Sequence, residues 1–269
     1  MGVMPFWVSI SILGLVQAAL VALPAPRAAP RWLVDLGGRW WALIPALSIV
    51  VVIAVIELDS DSATWLSYLA LVAVPPLAAF ALAALLRGSR SAWALAAVAL
   101  FALAWATPTS LAGETAATAL SGLACISLGW LLVSVVPAYW LRLGIYAMAA
   151  IDTYFVASDL LQGPNAALNL AAPGGGLPRL QAVHFGSAQM GFGDLFIAAL
   201  LGCLLARGRS RQLKAAVLVA ALTLAFDLLF FAFDELPATV PVAAALALLR
   251  FAERDRRPGR VSSPSDSGT

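Results

Sequence analysis

The chain is 269 residues long, 62% hydrophobic and only 11% charged, with a mean hydropathy of +0.93 and a formal net charge of +2. That composition excludes a water-soluble globular domain and places most of the chain in lipid. The small positive charge is a sum over two membrane faces and makes no case for a nucleic-acid partner, and two cysteines with one histidine, His184, supply neither a disulfide framework nor a metal-ligand set.

Apolar residues gather into nine runs, at about 5–23, 40–56, 64–86, 92–107, 115–136, 140–161, 185–206, 212–233 and 236–249. A helix rising about 1.5 Å per residue needs roughly 20 residues to cross about 30 Å of hydrocarbon, and lipid offers no partner to an unpaired amide, so each run is expected to be helical. No basic residue precedes the first run, which is longer than a usual signal core and reads as a retained helix. Pro75 and Pro76 predict a bend in the third. The sixth carries Asp152 and Asp159, the seventh Asp194 and the eighth Asp227; Cys125 and Cys203 fall inside the fifth and seventh. The longest interruption is residues 162–184, which include Pro173-Gly174-Gly175-Gly176-Leu177-Pro178. A loop of that length among short ones is functional or disordered. Beyond 250 the chain is polar and rich in Ser, Pro and Arg, so the expected organisation is one transmembrane domain, 1–250, and a disordered cytoplasmic tail, 251–269.

Loop charge gives an independent check on the count, because cytoplasmic loops carry an excess of Lys and Arg. The odd-numbered loops and the tail hold every basic residue except Arg179, 15 of the 16. Loops two, four and eight hold instead Glu57, Asp59, Asp61, Glu114, Asp234 and Glu235. The odd loops are therefore expected to be cytoplasmic, with the amino terminus outside and the carboxyl terminus inside. Arginine-rich, lysine-poor composition with abundant alanine points to a bacterial or archaeal cell membrane.

A carboxylate at the centre of a membrane helix costs about 2.5–3.5 kcal/mol on the insertion scale, so each one calls for a reason. Asp159 lies near a helix end, where solvation suffices, and Asp227 reads as structural. Asp194 belongs to Gly191-Phe192-Gly193-Asp194, whose glycines allow close approach beside the carboxylate. Counting inward from the outer ends of runs six and seven, at Gly163 and Phe185, Asp152 and Asp194 lie at similar depths, roughly 16 and 13 Å by the helical rise. Leu236-Pro237-Ala238-Thr239-Val240-Pro241 opens the ninth run, where two prolines four apart favour a partly unwound entry.

These three elements resemble the presenilin and signal peptide peptidase family of intramembrane aspartyl proteases, and the resemblance extends from about Ile151 to Pro241. It implies an all-α integral membrane fold of about nine transmembrane helices with presenilin-like architecture. It also implies Asp152 and Asp194 as the catalytic pair, Gly191, Phe192 and Gly193 as the active-site motif, and Leu236, Pro237 and Ala238 as the substrate-binding segment, with no metal and no cofactor. The chain departs from the family at Ile151, where a tyrosine is usual, and at Thr239, where a leucine is usual. The first departure bears on how Asp152 is oriented and the second on how substrate is gripped.

Two carboxyls held close in a poorly solvated place cannot both ionise and titrate as a unit. The ionised partner takes a proton from a water that attacks the peptide carbonyl, and the protonated partner donates to the carbonyl oxygen. The expected substrates are transmembrane helices with a cytoplasmic amino terminus. Two other readings stand beside this one. A prepilin-peptidase-like membrane aspartyl protease also has a helical Asp and a GxGD motif, but it usually carries basic residues and an Ile-Pro after the first Asp, where this chain has Thr153-Tyr154-Phe155. A cation- or proton-coupled transporter would use Asp152, Asp194 and Asp227 as a path, but no internal repeat is visible.

Overall fold

The computed structural model describes residues 4–43, 47, 50, 51, 54, 62–160, 170, 171 and 173–255. Among these are nine α-helices: α1 (Phe6–Ala22), α2 (Arg31–Asp35), α3 (Ser62–Phe80), α4 (Ala94–Ala106), α5 (Leu111–Val135), α6 (Ala138–Ala157), α7 (Phe192–Leu205), α8 (Arg209–Asp227) and α9 (Val240–Asp255). Strands β1 (Ala182–Phe185) and β2 (Ala188–Gly191) form an antiparallel hairpin between α6 and α7, pairing Ala182 with Gly191 and Phe185 with Ala188. Most of the second apolar run, with Glu57, Asp59 and Asp61, lies outside the described residues; its beginning, Arg39–Leu43, forms a 3-10 turn.

Among the described residues, three segments are long and apolar enough to cross a membrane: Ser62–Leu85, Leu111–Val135 and Arg209–Phe231. Phe6–Ala22, Ser91–Ala106 and Phe192–Leu205 are shorter apolar helices. Helix α3 runs through Pro75 and Pro76 and widens into a π-turn, Ala81–Leu85. Ser127 of α5 donates to the Leu77 carbonyl at 2.6 Å, tying α5 to α3 just past the two prolines.

Helix α7 sits at the centre. Leu195 and Ile197 to Leu201 are wholly buried, packed chiefly on α5 and α1. Small residues set those separations: a Cβ on Gly129 of α5 would lie 3.2 Å from the Leu200 backbone, and one on Gly202 would lie 2.5 Å from the Leu20 carbonyl of α1. Helix α1 also lies along α8, and α9 packs against α8 and α6.

The helix ends sort into two polar clusters. At one end Glu114 accepts from the Gly186 amide at 2.7 Å, and Ser9 accepts from the Ser187 amide at 3.2 Å, tying the hairpin turn to α5 and α1. At the other, Gln212 donates to the carbonyls of Pro24 and Gly202 and accepts from Arg87 and Arg209, joining α1, α3, α7 and α8.

Two expectations are corrected. The seventh run was expected to be helical from Phe185, but residues 182–191 are the hairpin and α7 starts at Phe192. Short apolar runs do not distinguish strand from helix by pattern alone, and here the Gly186-Ser187 turn and Gly191, the residue before α7, break the run. The polar tail was expected to begin at 251, but α9 continues to Asp255. Glu253 pairs with Arg211 of α8 at 2.7 Å. Residues 256–269 lie outside the described residues.

Candidate active site

Asp194 is the third residue of α7, with Gly191 immediately before the helix. Its Oδ2 folds back to accept from the Gly191 amide at 3.1 Å, satisfying one of the donors that a helix start leaves open. A Cβ at Gly191 would stand 3.0 Å from that oxygen, so the first glycine of the motif makes room for the carboxylate to bend back. Phe192 and Gly193 are half-buried in the first turn, and the Phe192 carbonyl faces the Cys125 thiol at 3.8 Å.

Asp152 is half-buried, five residues before the end of α6 at Ala157. The helix stops there because Asp159 adopts a left-handed conformation (φ 54°), which Asp tolerates better than most residues. Asp152 lies five residues from the end of α6 and Asp194 two residues from the start of α7, both nearer the helix ends than counting from Gly163 and Phe185 predicted.

The two carboxyls lie within electrostatic range of each other. Asp152 is held from the segment before α9, where Thr239 donates to Asp152 Oδ2 through its hydroxyl at 2.6 Å and its amide at 3.4 Å. Pro237 and Thr239 are buried, and Leu236 and Ala238 half-buried. The structure thus brings Asp152, Asp194, Gly191 and the 236–239 segment into one neighbourhood.

Thr239 was expected to bear on how substrate is gripped; the structure makes its hydroxyl a direct partner of Asp152. The sequence carried the means to see this, since a hydroxyl beside an unwound helix entry is a natural donor to a buried carboxylate. Gln17 was passed over altogether. It is fully buried in α1 and donates through Nε2 to the carbonyls of Asp194 (3.4 Å) and Ala238 (3.2 Å). The clue was a long amide inside an otherwise apolar run.

Other candidates lie apart. Asp159 is exposed beyond the end of α6. Asp227 is buried at the end of α8 against Gly14, and its Oδ2 has no partner among the described residues. Cys125 and Cys203 are free and buried. His184 sits on β1, and no cluster of three metal-ligating side chains occurs among the described residues. The ten residues of Pro173-Gly174-Gly175-Gly176-Leu177-Pro178 and its neighbours up to Ala182 lead directly into the hairpin. No protein-family model, curated protein or solved structure matches this chain.

Proposed function

We propose that the chain is an intramembrane aspartyl protease of about nine transmembrane helices that hydrolyses peptide bonds within other transmembrane helices. The observation that carries this reading is the meeting of Asp152 and Asp194. They come from different helices, each near the end of its own, and Asp152 is held by a segment whose Pro237-Ala238 the motif resemblance marks for substrate. A packing role alone gives no reason to bring two carboxyls within electrostatic range of each other in an apolar protein.

Each aspartate commits one oxygen to a protein donor: Oδ2 of Asp152 to Thr239, and Oδ2 of Asp194 to Gly191. The Oδ1 atoms are left to share the proton and to bind the attacking water. The ionised partner takes a proton from that water as it adds to the peptide carbonyl, the protonated partner donates to the carbonyl oxygen, and the pair returns the proton to the leaving amine.

Strand β2 ends at Gly191, whose amide holds Asp194, and its main-chain groups would suit pairing with an unwound substrate segment. Loop charge assigns the hairpin end to the outside of the membrane, and the substrates are helices whose amino terminus is cytoplasmic.

The test is cleavage of a reporter helix by purified protein in detergent or liposomes. Asp152→Asn and Asp194→Asn are each expected to abolish cleavage while the protein remains folded and inserted. Retained activity in either variant refutes the dyad.

A further inference from the structure

Gln17 has the geometry of a clamp. A primary amide buried in a membrane protein is unfavourable unless its donors are matched, and both donors of Gln17 are spent on backbone carbonyls that belong to the two motif segments. Carbonyls only accept, so the amide nitrogen must face them. Its Oε1 has no partner among the described residues, so the side chain is held there by its donors.

One acceptor is the main chain of Asp194 itself. The other is Ala238, the residue directly before Thr239, which holds Asp152. The connection therefore runs from the Asp194 backbone through Gln17 to Ala238, then through Thr239 to the carboxylate of Asp152. No other side-chain hydrogen bond among the described residues joins the start of α7 to the segment before α9. Helix α6, which carries Asp152, packs on α9 but touches α7 only lightly, so its own packing does little to fix the distance to Asp194.

We infer that Gln17 is a positioning residue that sets the separation of the two aspartates by clamping the start of α7 to the 236–239 segment. Its effect on catalysis rests on the protease reading, but the clamp itself does not. Methionine matches the length of glutamine without its donors, and asparagine keeps the amide but withdraws it by one methylene.

The experiment pairs an activity-independent distance with kinetics. Spin labels at the exposed positions Gln189 and Glu235 report on the two clamped segments, while Cys125 and Cys203 are buried. Gln17→Met and Gln17→Asn are each expected to broaden the label-to-label distance distribution about twofold. In the reporter assay kcat is expected to fall about 10- to 100-fold with KM within about twofold, the pattern of misplaced reacting groups. The bell-shaped pH profile is expected to narrow, because separated carboxyls interact less. An unchanged distance distribution in both variants overturns the inference whether or not the protein is a protease. So does a loss of activity that tracks loss of folded protein with the pH profile unaltered. Broadening in the variants of a protein whose wild type cuts no helix leaves the clamp standing and removes the protease reading instead.

Discussion

The shorter of the two bonds that hold Asp152 comes from the Thr239 hydroxyl, and its weight is testable by a single substitution. Thr239→Val keeps the shape of the side chain and removes the 2.6 Å bond to Oδ2. Hydrogen bonds to charged groups are worth about 1.5–3 kcal/mol, so kcat on a reporter helix is expected to fall about 10- to 100-fold, with Thr239→Ser restoring most of it. Equal activity in the valine variant would remove Thr239 from the site. Asp227 behaves differently. Its Oδ2 has no partner among the described residues and faces Gly14 of α1, so Asp227→Asn, which buries an amide in place of a carboxyl, is expected to leave cleavage within about threefold and stability unchanged or raised. A loss as complete as that of the Asp152 and Asp194 variants would place Asp227 in the catalytic cavity. The glycine opposite is the sensitive partner. A Cβ at Gly14 would stand 2.7 Å from Thr223 Cγ2, so Gly14→Ala is expected to destabilise the protein by about 1–3 kcal/mol in an unfolding titration.

The hairpin is the element whose stability responds to pH. Burial, reinforced by the charge of Arg179 and opposed by that of Glu114, holds the His184 imidazole below its ordinary value. In the unfolded chain that imidazole protonates near pH 6.5, whereas in the folded hairpin it resists protonation to lower pH. Its contribution to stability is therefore fully present above about pH 6.5 and is lost as the pH falls toward the folded value. Amide hydrogen exchange across 182–191 is expected to accelerate, relative to the α5–α7 core, between pH 7.5 and 5.5. His184→Gln is expected to abolish that difference, and an identical pH response in the variant would assign the effect to another group. The turn itself is built around Gly186, whose φ is +60° and whose amide is held by Glu114.

At the scale of the whole molecule, the two polar clusters at opposite helix ends give the bundle a direction. On the orientation proposed from loop charge, the Arg87–Gln212–Arg209 end is the cytoplasmic one. A chiral site that pairs with an extended strand reads it one way only, so inverting the proposed protease in the bilayer would require inverting its substrate. Two reporters with one shared transmembrane sequence, inserted in opposite orientations and co-expressed with the protein, are expected to differ, with the cytoplasmic amino terminus preferred. Preference for the external amino terminus would overturn that orientation.

Hydrophobicity and charge are properties of local sequence, and they sufficed to read apolar helices and to mark Asp152, Asp159, Asp194 and Asp227 as carboxylates needing a reason. Helices α1, α3, α4, α5, α6 and α8 fall within a few residues of their apolar runs for the same reason, since each run is long enough to need an internally bonded backbone. The rest depended on partners far away in the chain. Thr239 meets Asp152 across 87 residues, and Gln17 reaches Asp194 across 177 and Ala238 across 221. Periodicity carries no information about such meetings. The hairpin likewise appeared only in three dimensions, because local pattern leaves 182–191 open to strand or helix until the Gly186 turn finds Glu114 and Ser187 finds Ser9.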